Sequence, residues 1–188
     1  MSTTRCPDRR TADRLDIADA MYRYAEAMDH IGAHPVPRGA PDPALAHAVE
    51  ILRTCLTDTA ILRLYFRGAG DEPVQAGPGG PEAFAPFVRE YFTAYGYTNT
   101  YHLVGNVRIA FTGADTADVR SYINSTHWLA DGRFLLAPIE YEDTVVRSAD
   151  GLWRISSREI VVWRWWVTEG YAPVPTDPTL ARPSTGPA

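Results

Sequence analysis

The second half of the chain contains four long segments that are rich in β-branched and aromatic residues and are separated by short turns. The turns combine glycine with aspartate, as in Gly113-Ala114-Asp115 and Asp131-Gly132-Arg133, and these residues favour tight reversals of the backbone. Long strands joined by short turns pair with their neighbours in antiparallel order. This half of the sequence therefore predicts an antiparallel meander, with strands at 99–111, 117–129, 134–146 and 152–167.

The first half of the sequence is mainly helical. Apolar residues recur at steps of three and four from Leu15 to Met28, which predicts an amphipathic helix with Thr11 or Asp13 as its N-cap. A second helix, capped by Asp42, a strand and a third helix follow, at 43–56, at 57–66 and from residue 81 onward.

The chain is predicted to form one domain over residues 11–168. Residues 1–10 are polar and are expected to be disordered, and residues 169–188 form a proline-rich tail. Prolines and glycines between residues 31 and 43 end the first helix and predict a loop, long enough for a lid or a partner-binding insertion. Helices followed by antiparallel strands indicate an α+β fold, for which we expect a curved, cone-shaped sheet (an α+β barrel) packed on N-terminal helices, with a ligand pocket at its mouth.

Composition argues against several classes of function. The 188 residues carry a net charge of −5, and all 18 cationic side chains are arginine. No arginine cluster alternates with aromatic residues, so nucleic acid is not an expected partner. No segment is apolar over the length of a signal peptide or a membrane span, so no membrane association is expected. Cys6 and Cys55 form neither a disulfide framework nor a metal-binding spacing, which favours the cytoplasm.

A histidine stands in the middle of the first strand of the meander. Alternation places His102, Val104 and Asn106 on one face of this strand. The first helix ends near Asp29, where the helix dipole disfavours a carboxylate by up to about 1 kcal/mol. We therefore expect Asp29 and His102 to meet in the pocket. A general base with its carboxylate partner and a purely structural tie between helix and sheet are both consistent with the residues alone.

Three segments are similar to the SnoaL-like branch of the nuclear-transport-factor-2-like superfamily, over about residues 11–168. They are Leu15–Asp29, the strand His102–Asn106, and Tyr141–Val146 followed by Gly151–Ile155. Within that superfamily, the Asp and His pair most resembles scytalone dehydratase and related dehydratases and polyketide cyclases. The resemblance implies a homodimer or homotrimer that needs no cofactor and acts on a hydrophobic, polyketide-like or aromatic small molecule.

The resemblance also implies roles for individual residues. Asp29 would orient His102, and His102 would act as general base and acid. His127 is a candidate second acid, although it lies four residues, or roughly 13 Å, beyond Ile123, where local alignment puts the family's second histidine. Tyr24 is a candidate phenol donor, but a helical tyrosine also suits a core. Candidates for substrate binding are Asn106, Asn124 and Tyr22, with the alternative that a buried asparagine satisfies a bulge.

Tryptophans crowd the last predicted strand. In a regular strand Trp163 and Trp165 share one facing, so they could bind a polycyclic substrate or, as is more common, form a dimer interface or a core. The scattered histidines give no metal-binding spacing.

Three other activities stay open. A small-molecule binding protein could use the same cone without chemistry. An isomerase would need a second carboxylic acid, for which Asp143 and Glu140 qualify only if they face inward. An epoxide hydrolase would need an arginine between two carboxylates, and Arg108 has the parity of His102 but no evident partners.

Overall fold

The computed structural model describes residues 9–33, 36 and 40–168. Three helices pack against a curved sheet of seven strands, which confirms the predicted α+β class. The helices are α1 Arg9–Gly32, α2 Pro43–Cys55 and α3 Pro81–Ala94. The strands are β1 Leu56–Phe66, β2 Gln75–Ala76, β3 Tyr97–Phe111, β4 Thr116–Leu129, β5 Phe134–Arg147, β6 Trp153–Val162 and β7 Trp166–Thr168.

The sheet has the order β2-β1-β6-β5-β4-β3, and β7 pairs with β5. Strands β3 to β6 form the predicted antiparallel meander. The sequence did not predict that β1 joins this meander in parallel beside β6. That pairing places β1, which follows directly after α2, between β2 and β6 in the sheet.

Helix α1 is longer than predicted at both ends. It begins at Arg9, so Arg9 and Arg10 are helical, whereas the other residues of the predicted disordered N-terminus and the tail 169–188 lie outside the described residues. Asp13 is therefore not an N-cap. It is buried within the first turns of the helix, where it pairs with Arg147 and accepts a hydrogen bond from Trp153 Nε1 at 3.3 Å.

Helix α2 begins as predicted. The carboxylate of Asp42 accepts a hydrogen bond from the backbone N–H of Leu45 at 2.9 Å, and Pro43 occupies the first turn. This cap satisfies one of the backbone donors that a helix start leaves free. The predicted loop before it, residues 31–43, is described only in part.

Strand β3 contains a bulge at Asn106, the position for which the sequence offered a bulge as the alternative to substrate binding. Between Gly105 and Arg108 it has one more residue than the facing stretch of β4, and Asn106 adopts a φ of 51°. Asparagine tolerates this left-handed conformation better than most residues do. The extra residue reverses the alternation, so Asn106 and Arg108 are exposed instead of sharing the inward facing of His102.

The fourth strand of the meander is interrupted. Strand β6 ends at Val162, and the chain pairs again only at β7, where Trp166 lies opposite Leu136 of β5. Between them, the Trp163 N–H donates to the carbonyl of Pro138 at 3.1 Å. Because Pro138 has no N–H, it cannot return that hydrogen bond, and the regular ladder stops there.

The core lies between the concave face of the sheet and the three helices. Large side chains that are fully buried include Ile17, Leu52, Leu62, Trp153 and Ile155. Among the described helices, none is long and apolar enough to cross a bilayer.

The end of α1 lies unusually close to β3. A Cβ placed on Gly32 would come within 2.0 Å of the Thr100 hydroxyl oxygen, and that hydroxyl donates to the carbonyl of Met28 at 3.2 Å. Only a residue without a side chain fits at this contact. The contact brings the last turns of α1, including Asp29, against the first part of β3, around Thr100 and His102.

Replacing Gly32 with alanine should push the end of α1 away from β3. We expect the free energy of unfolding to fall by about 2 kcal/mol, since overpacking a tight contact costs roughly 1–3 kcal/mol. Urea denaturation measures this change. Thr100→Ala in the same chain should recover part of the loss, and Gly105→Ala is the matched control, because its Cβ would meet nothing nearer than 3.9 Å. Equal losses for Gly32→Ala and Gly105→Ala would contradict the close contact.

Candidate functional site

A cavity of about 390 Å³ lies between the concave face of the sheet and helices α1 and α3. Its walls are mostly aromatic and aliphatic, and they include Met28, Phe84, Phe87, Phe92, Ile139 and Ile160. The polar groups that reach it are few, namely His102, His127, Arg63, Gln75 and a set of tyrosines. An apolar cavity with a few convergent polar groups is the usual form of a small-molecule site.

The structure brings Asp29 and His102 together at one wall of this cavity. His102 Nδ1 lies 2.7 Å from Asp29 Oδ1, and the His102 backbone N–H donates to Asp29 Oδ2 at 3.3 Å. Both carboxylate oxygens are therefore directed at one residue. Since a carboxylate accepts a proton, it fixes the tautomer with the proton on Nδ1, which leaves the lone pair of Nε2 free.

The two members of this pair differ in exposure. The His102 side chain is 5% exposed and the Asp29 side chain is 31% exposed. Asp29 borders a second, open groove on the far side of His102, together with Glu26, His30 and Tyr22. Tyr22 was predicted to bind substrate, but it lies half exposed in this outer groove, beside Leu103 and Val104 of β3, and does not line the cavity.

His127 lies in the cavity beside His102. The two imidazole centroids are 5.5 Å apart, and the ring of Tyr97 stacks on His127 at 4.4 Å. The expected offset of His127 was counted from Ile123, where local alignment puts the family's second histidine, and not from His102. In the structure His127 pairs with Thr100, two residues before His102, so both histidines project from neighbouring positions on one face.

His127 is neutral at ordinary pH. Burial and the nearby His102 lower the pKa of His127 to about 3. Its Nδ1 has no hydrogen-bond partner among the described residues. His127 therefore can accept or donate a hydrogen bond to a molecule in the cavity, but it does not carry the proton that the predicted second acid would need.

Tyr24 and Tyr141 form the floor of the cavity above a buried ion pair. The Arg158 guanidinium carbon lies 3.9 Å from the Tyr24 ring centroid and 4.0 Å from that of Tyr141. Arg158 is fully buried and holds Asp143 through two hydrogen bonds of 2.6 and 2.7 Å. Burial raises the pKa of Tyr141 to about 12 and raises that of Tyr24 as well, so both phenols keep their protons.

Tyr141 and a group of tyrosines at the end of α3 also line the cavity, and the sequence did not indicate them as site residues. Tyr91, Tyr95 and Tyr97 line the cavity, and burial raises the pKa of Tyr97 to about 12. The alternation of β5 could have indicated Tyr141, since Ile139, Tyr141 and Asp143 share its buried face.

Several other predicted binding residues lie outside the cavity. Asn106 sits in the exposed bulge, and Asn124 alternates with the buried Ile123 and so faces outward. Trp163 and Trp165 do not share a facing, because the strand is broken between β6 and β7. Trp165 lines the cavity and packs on Phe66 at 4.9 Å, whereas Trp163 lies on the outer face of the sheet and donates to Glu140.

The residues considered for an isomerase or an epoxide hydrolase do not line the cavity. Asp143 faces inward but is held by Arg158 and does not line the cavity. Glu140 faces the outer side, where it pairs with Arg120, and the bulge turns Arg108 outward. In the part of the chain that the structure describes, no group of three or more His, Cys, Asp or Glu side chains could hold a metal ion.

Comparison with protein-family models gives one match. A model described as a SnoaL-like domain matches residues 52–159, which is more than half of the chain. No curated protein matches the sequence.

Several solved structures share the fold. The Kfla4162 protein from Kribbella flavida is 21% identical, with a TM-score of 0.63, covering 84% of this chain and 95% of that one. The hexachlorocyclohexane dehydrochlorinase LinA-type3 from Novosphingobium barchaimii is 20% identical, with a TM-score of 0.64 and coverage of 88% and 97%. A candidate scytalone dehydratase from Novosphingobium aromaticivorans is 19% identical, with a TM-score of 0.60 and coverage of 87% and 92%. At these identities the similarity shows the fold.

His127 should make the protein less stable in acid. Its pKa is about 3 in the folded chain and near the ordinary 6.5 when unfolded, so below pH 6.5 the unfolded state binds a proton that the folded state does not. This difference lowers the free energy of unfolding by about 2 kcal/mol at pH 5 relative to pH 7. His127→Phe keeps the aromatic contacts and should lose that part of the acid sensitivity in urea denaturation at both pH values. If the variant and the wild type lose the same free energy of unfolding between pH 7 and pH 5, His127 is not held neutral in the folded chain.

Proposed function

The chain belongs to the SnoaL-like domain family, and we propose that it is a cofactor-independent dehydratase or cyclase for a polyketide-like or aromatic small molecule. The observation that carries the proposal is the 2.7 Å contact between Asp29 and His102 at the wall of an apolar cavity. A structural tie would need the same hydrogen bond, but it would not need His102 to line a cavity of this size.

His102 is the general base and acid in this proposal. Its Nε2 removes a proton from the carbon next to a carbonyl, and the electron pair moves onto the carbonyl oxygen as an enolate. Asp29 stabilises the imidazolium that forms, because its carboxylate lies against the protonated Nδ1. In a dehydration the enolate expels a β-hydroxyl group, and His102 returns its proton to that oxygen, so water leaves. In a cyclisation the enolate carbon attacks a second carbonyl, and His102 protonates the new alkoxide.

A phenol of the cavity floor stabilises the enolate oxygen. Tyr24 and Tyr141 keep their protons, so each can donate a hydrogen bond to an oxyanion. Arg158 lies against both rings, but the Asp143 carboxylate balances its charge, so the phenol O–H groups are what the floor offers to the oxyanion. His127, being neutral, suits a substrate hydroxyl or carbonyl as a hydrogen-bond partner, and we assign it to positioning the substrate.

The cavity supports the substrate class. A volume of about 390 Å³ is within the range of small-molecule sites, roughly 300–1,000 Å³. Its aromatic walls offer flat apolar surface to fused or aromatic rings, and Trp165 adds such a surface beside Phe66. Two structural neighbours bear the names of elimination enzymes, a dehydrochlorinase and a candidate scytalone dehydratase, which is compatible with proton removal as the first step here.

A non-catalytic binding protein is the alternative from another class, since the same cavity could hold a molecule without reacting with it. An isomerase is less well supported, because no aspartate or glutamate is among the residues that line the cavity in the described part of the chain. The homodimer or homotrimer and the cytoplasmic location implied by the sequence stay predictions.

Replacing His102 with alanine should abolish turnover while the fold persists. We expect a loss of at least about 100-fold in kcat, and a smaller loss for Asp29→Asn, because general acid and base catalysis commonly contributes 10²–10⁴-fold. The assay is deuterium incorporation from heavy water next to the carbonyl of an aromatic ketone, together with loss of water from β-hydroxyketones, followed by mass spectrometry.

His30→Ala is the matched control. His30 follows Asp29 on the same helix but borders only the outer groove, so its removal should leave turnover within about twofold of wild type. If wild type and His102→Ala bind the ketones equally and return them unchanged and undeuterated, the enzyme proposal fails and the binding protein is supported.

A further inference from the structure

The cavity has a second polar end, at Gln75 of the short edge strand β2. Gln75 lies opposite Leu64 of β1, and residues opposite each other in an antiparallel pair project from the same face of a sheet. Leu64 lines the cavity, and Gln75 lines it as well. The carboxamide of Gln75 is therefore directed into the cavity from the edge of the sheet.

Gly77 supports this facing of Gln75. Its N–H donates to the carbonyl of Leu62 at 2.9 Å, so the ladder with β1 continues past β2, and Gly77 shares the facing of Gln75 two residues earlier. A Cβ placed on Gly77 would come within 3.0 Å of the Phe84 ring and 3.6 Å of the Phe87 ring. Both rings belong to α3, so the side of β2 that carries Gln75 is the side that faces this helix.

The Gln75 side chain is available to a ligand. It is partly buried, and no described residue forms a hydrogen bond with it. A carboxamide offers two N–H donors and one acceptor oxygen, so it can bind either a hydroxyl or a carbonyl group. Among the described residues that line the cavity, it is the only amide side chain.

This end of the cavity is polar but uncharged. Arg63 also borders the cavity, but it lies opposite Ala76 and precedes Leu64, so alternation turns its guanidinium away from the helices. Its register neighbour on β6 is Glu159, which lies in a groove on the outer face of the sheet. A carboxylate beside Gln75 would be buried without a cationic partner, which is costly. The distal end therefore suits a neutral oxygen.

The spacing of the strands sets the length of the molecule that reaches both ends. Register places Leu64 beside Ile160 of β6 and Ile160 beside Tyr141 of β5, so Gln75 lies three strands from Tyr141. Three strand spacings are about 14 Å along the sheet, and the concave curvature brings the side chains closer together than that. Leu64 and Ile160, which lie between the two polar ends, are apolar. A system of about two or three fused rings with an oxygen at each end matches this span.

From these positions we propose that Gln75 is a specificity-determining residue, which binds a neutral oxygen at the far end of an elongated aromatic ketone. Its N–H groups donate to a carbonyl or hydroxyl oxygen, and its own oxygen accepts from a hydroxyl group. The ketone oxygen of the same molecule lies at Tyr24 and Tyr141, beside His102. That second assignment rests on the proposed function, whereas the contact at Gln75 does not.

Three methyl ketones of naphthalene test this inference on the wild-type protein. One has no further substituent, one carries a hydroxyl group on the ring carbon farthest from the ketone, and one carries a carboxylate there. None has a β-hydroxyl group to eliminate, so dissociation constants can be measured by isothermal titration calorimetry. The hydroxyl ketone should bind about fivefold more tightly than the unsubstituted one, because it gains one net hydrogen bond. The carboxylate ketone should bind more weakly than either.

Gln75→Met removes the amide and keeps the length of the side chain. In this variant the hydroxyl ketone should lose its fivefold advantage, while the unsubstituted ketone keeps its wild-type affinity within about twofold. Arg63→Met is the matched control, since it removes a polar group from the facing strand on the other side of the sheet, and the preference should persist there. Deuterium incorporation into the unsubstituted ketone should be the same in both variants as in wild type.

A wild type that binds the hydroxyl and unsubstituted ketones equally, or binds neither, would overturn the inference, and so would a preference that persists in Gln75→Met. A carboxylate ketone that binds most tightly, and loses this advantage in Arg63→Met, would assign the distal end to Arg63 instead. These outcomes differ from failure of the proposed function. If no ketone gains deuterium but Gln75 still sets the preference, the contact stands and only the reaction is wrong.

Discussion

The candidate site depends on the close packing of α1 against the sheet. At its C-terminal end, Gly32 lies against Thr100, and the Thr100 hydroxyl is bonded to the backbone of the helix. Toward its N-terminal end, the buried Asp13 is held by Arg147 and Trp153 of β5 and β6. A rigid helix fixed at two points cannot shift along the sheet without breaking one of these contacts. Asp29 is consequently presented to His102 at one distance and in one orientation.

The polar groups beneath the cavity show how a charged pair can persist in an apolar interior. Taking Arg158 and Asp143 out of water is costly, and their two mutual hydrogen bonds offset part of that cost. The faces of Tyr24 and Tyr141 cover the guanidinium on its cavity side and contribute a cation–π attraction. The result is a floor that is neutral overall and mainly aromatic, with two protonated phenols that can donate to an oxygen atom on which negative charge develops.

Much of the fold could be read from the sequence because it depends on short-range patterns. Alternation and turn residues gave the meander, and the Asp42 cap marked the start of α2. What failed depends on the register of distant strands. The single extra residue at Asn106 reversed the facing of Arg108, and Pro138 interrupted the ladder that was expected to align Trp163 with Trp165. Local spacing shows neither effect, since each arises from the partner strand.

The candidate site, like the fold, could be predicted from the sequence only in part. Asp29 and His102 could be named because an anionic helix end and a strand histidine are both unusual where they stand. The sequence indicated His127 as a candidate but not its position beside His102, because that position follows from the pairing of His127 with Thr100. Tyr141 went unnoticed because a tyrosine in a buried strand is ordinary until the cavity above it is known. When a residue type is common in strands, its part in a site becomes visible only once the fold shows which side chains lie near it.

The Asp29 and His102 pair can be reached from two sides, because His102 borders the cavity and Asp29 borders the outer groove. A molecule that fills the cavity covers His102 from one side only. On the other side the Asp29 carboxylate still borders the open groove, where water and buffer ions can reach it. Protons can therefore exchange between the pair and bulk solvent while the cavity is occupied, so a tightly bound ligand excludes water from its own surface without isolating the pair from the surrounding pH.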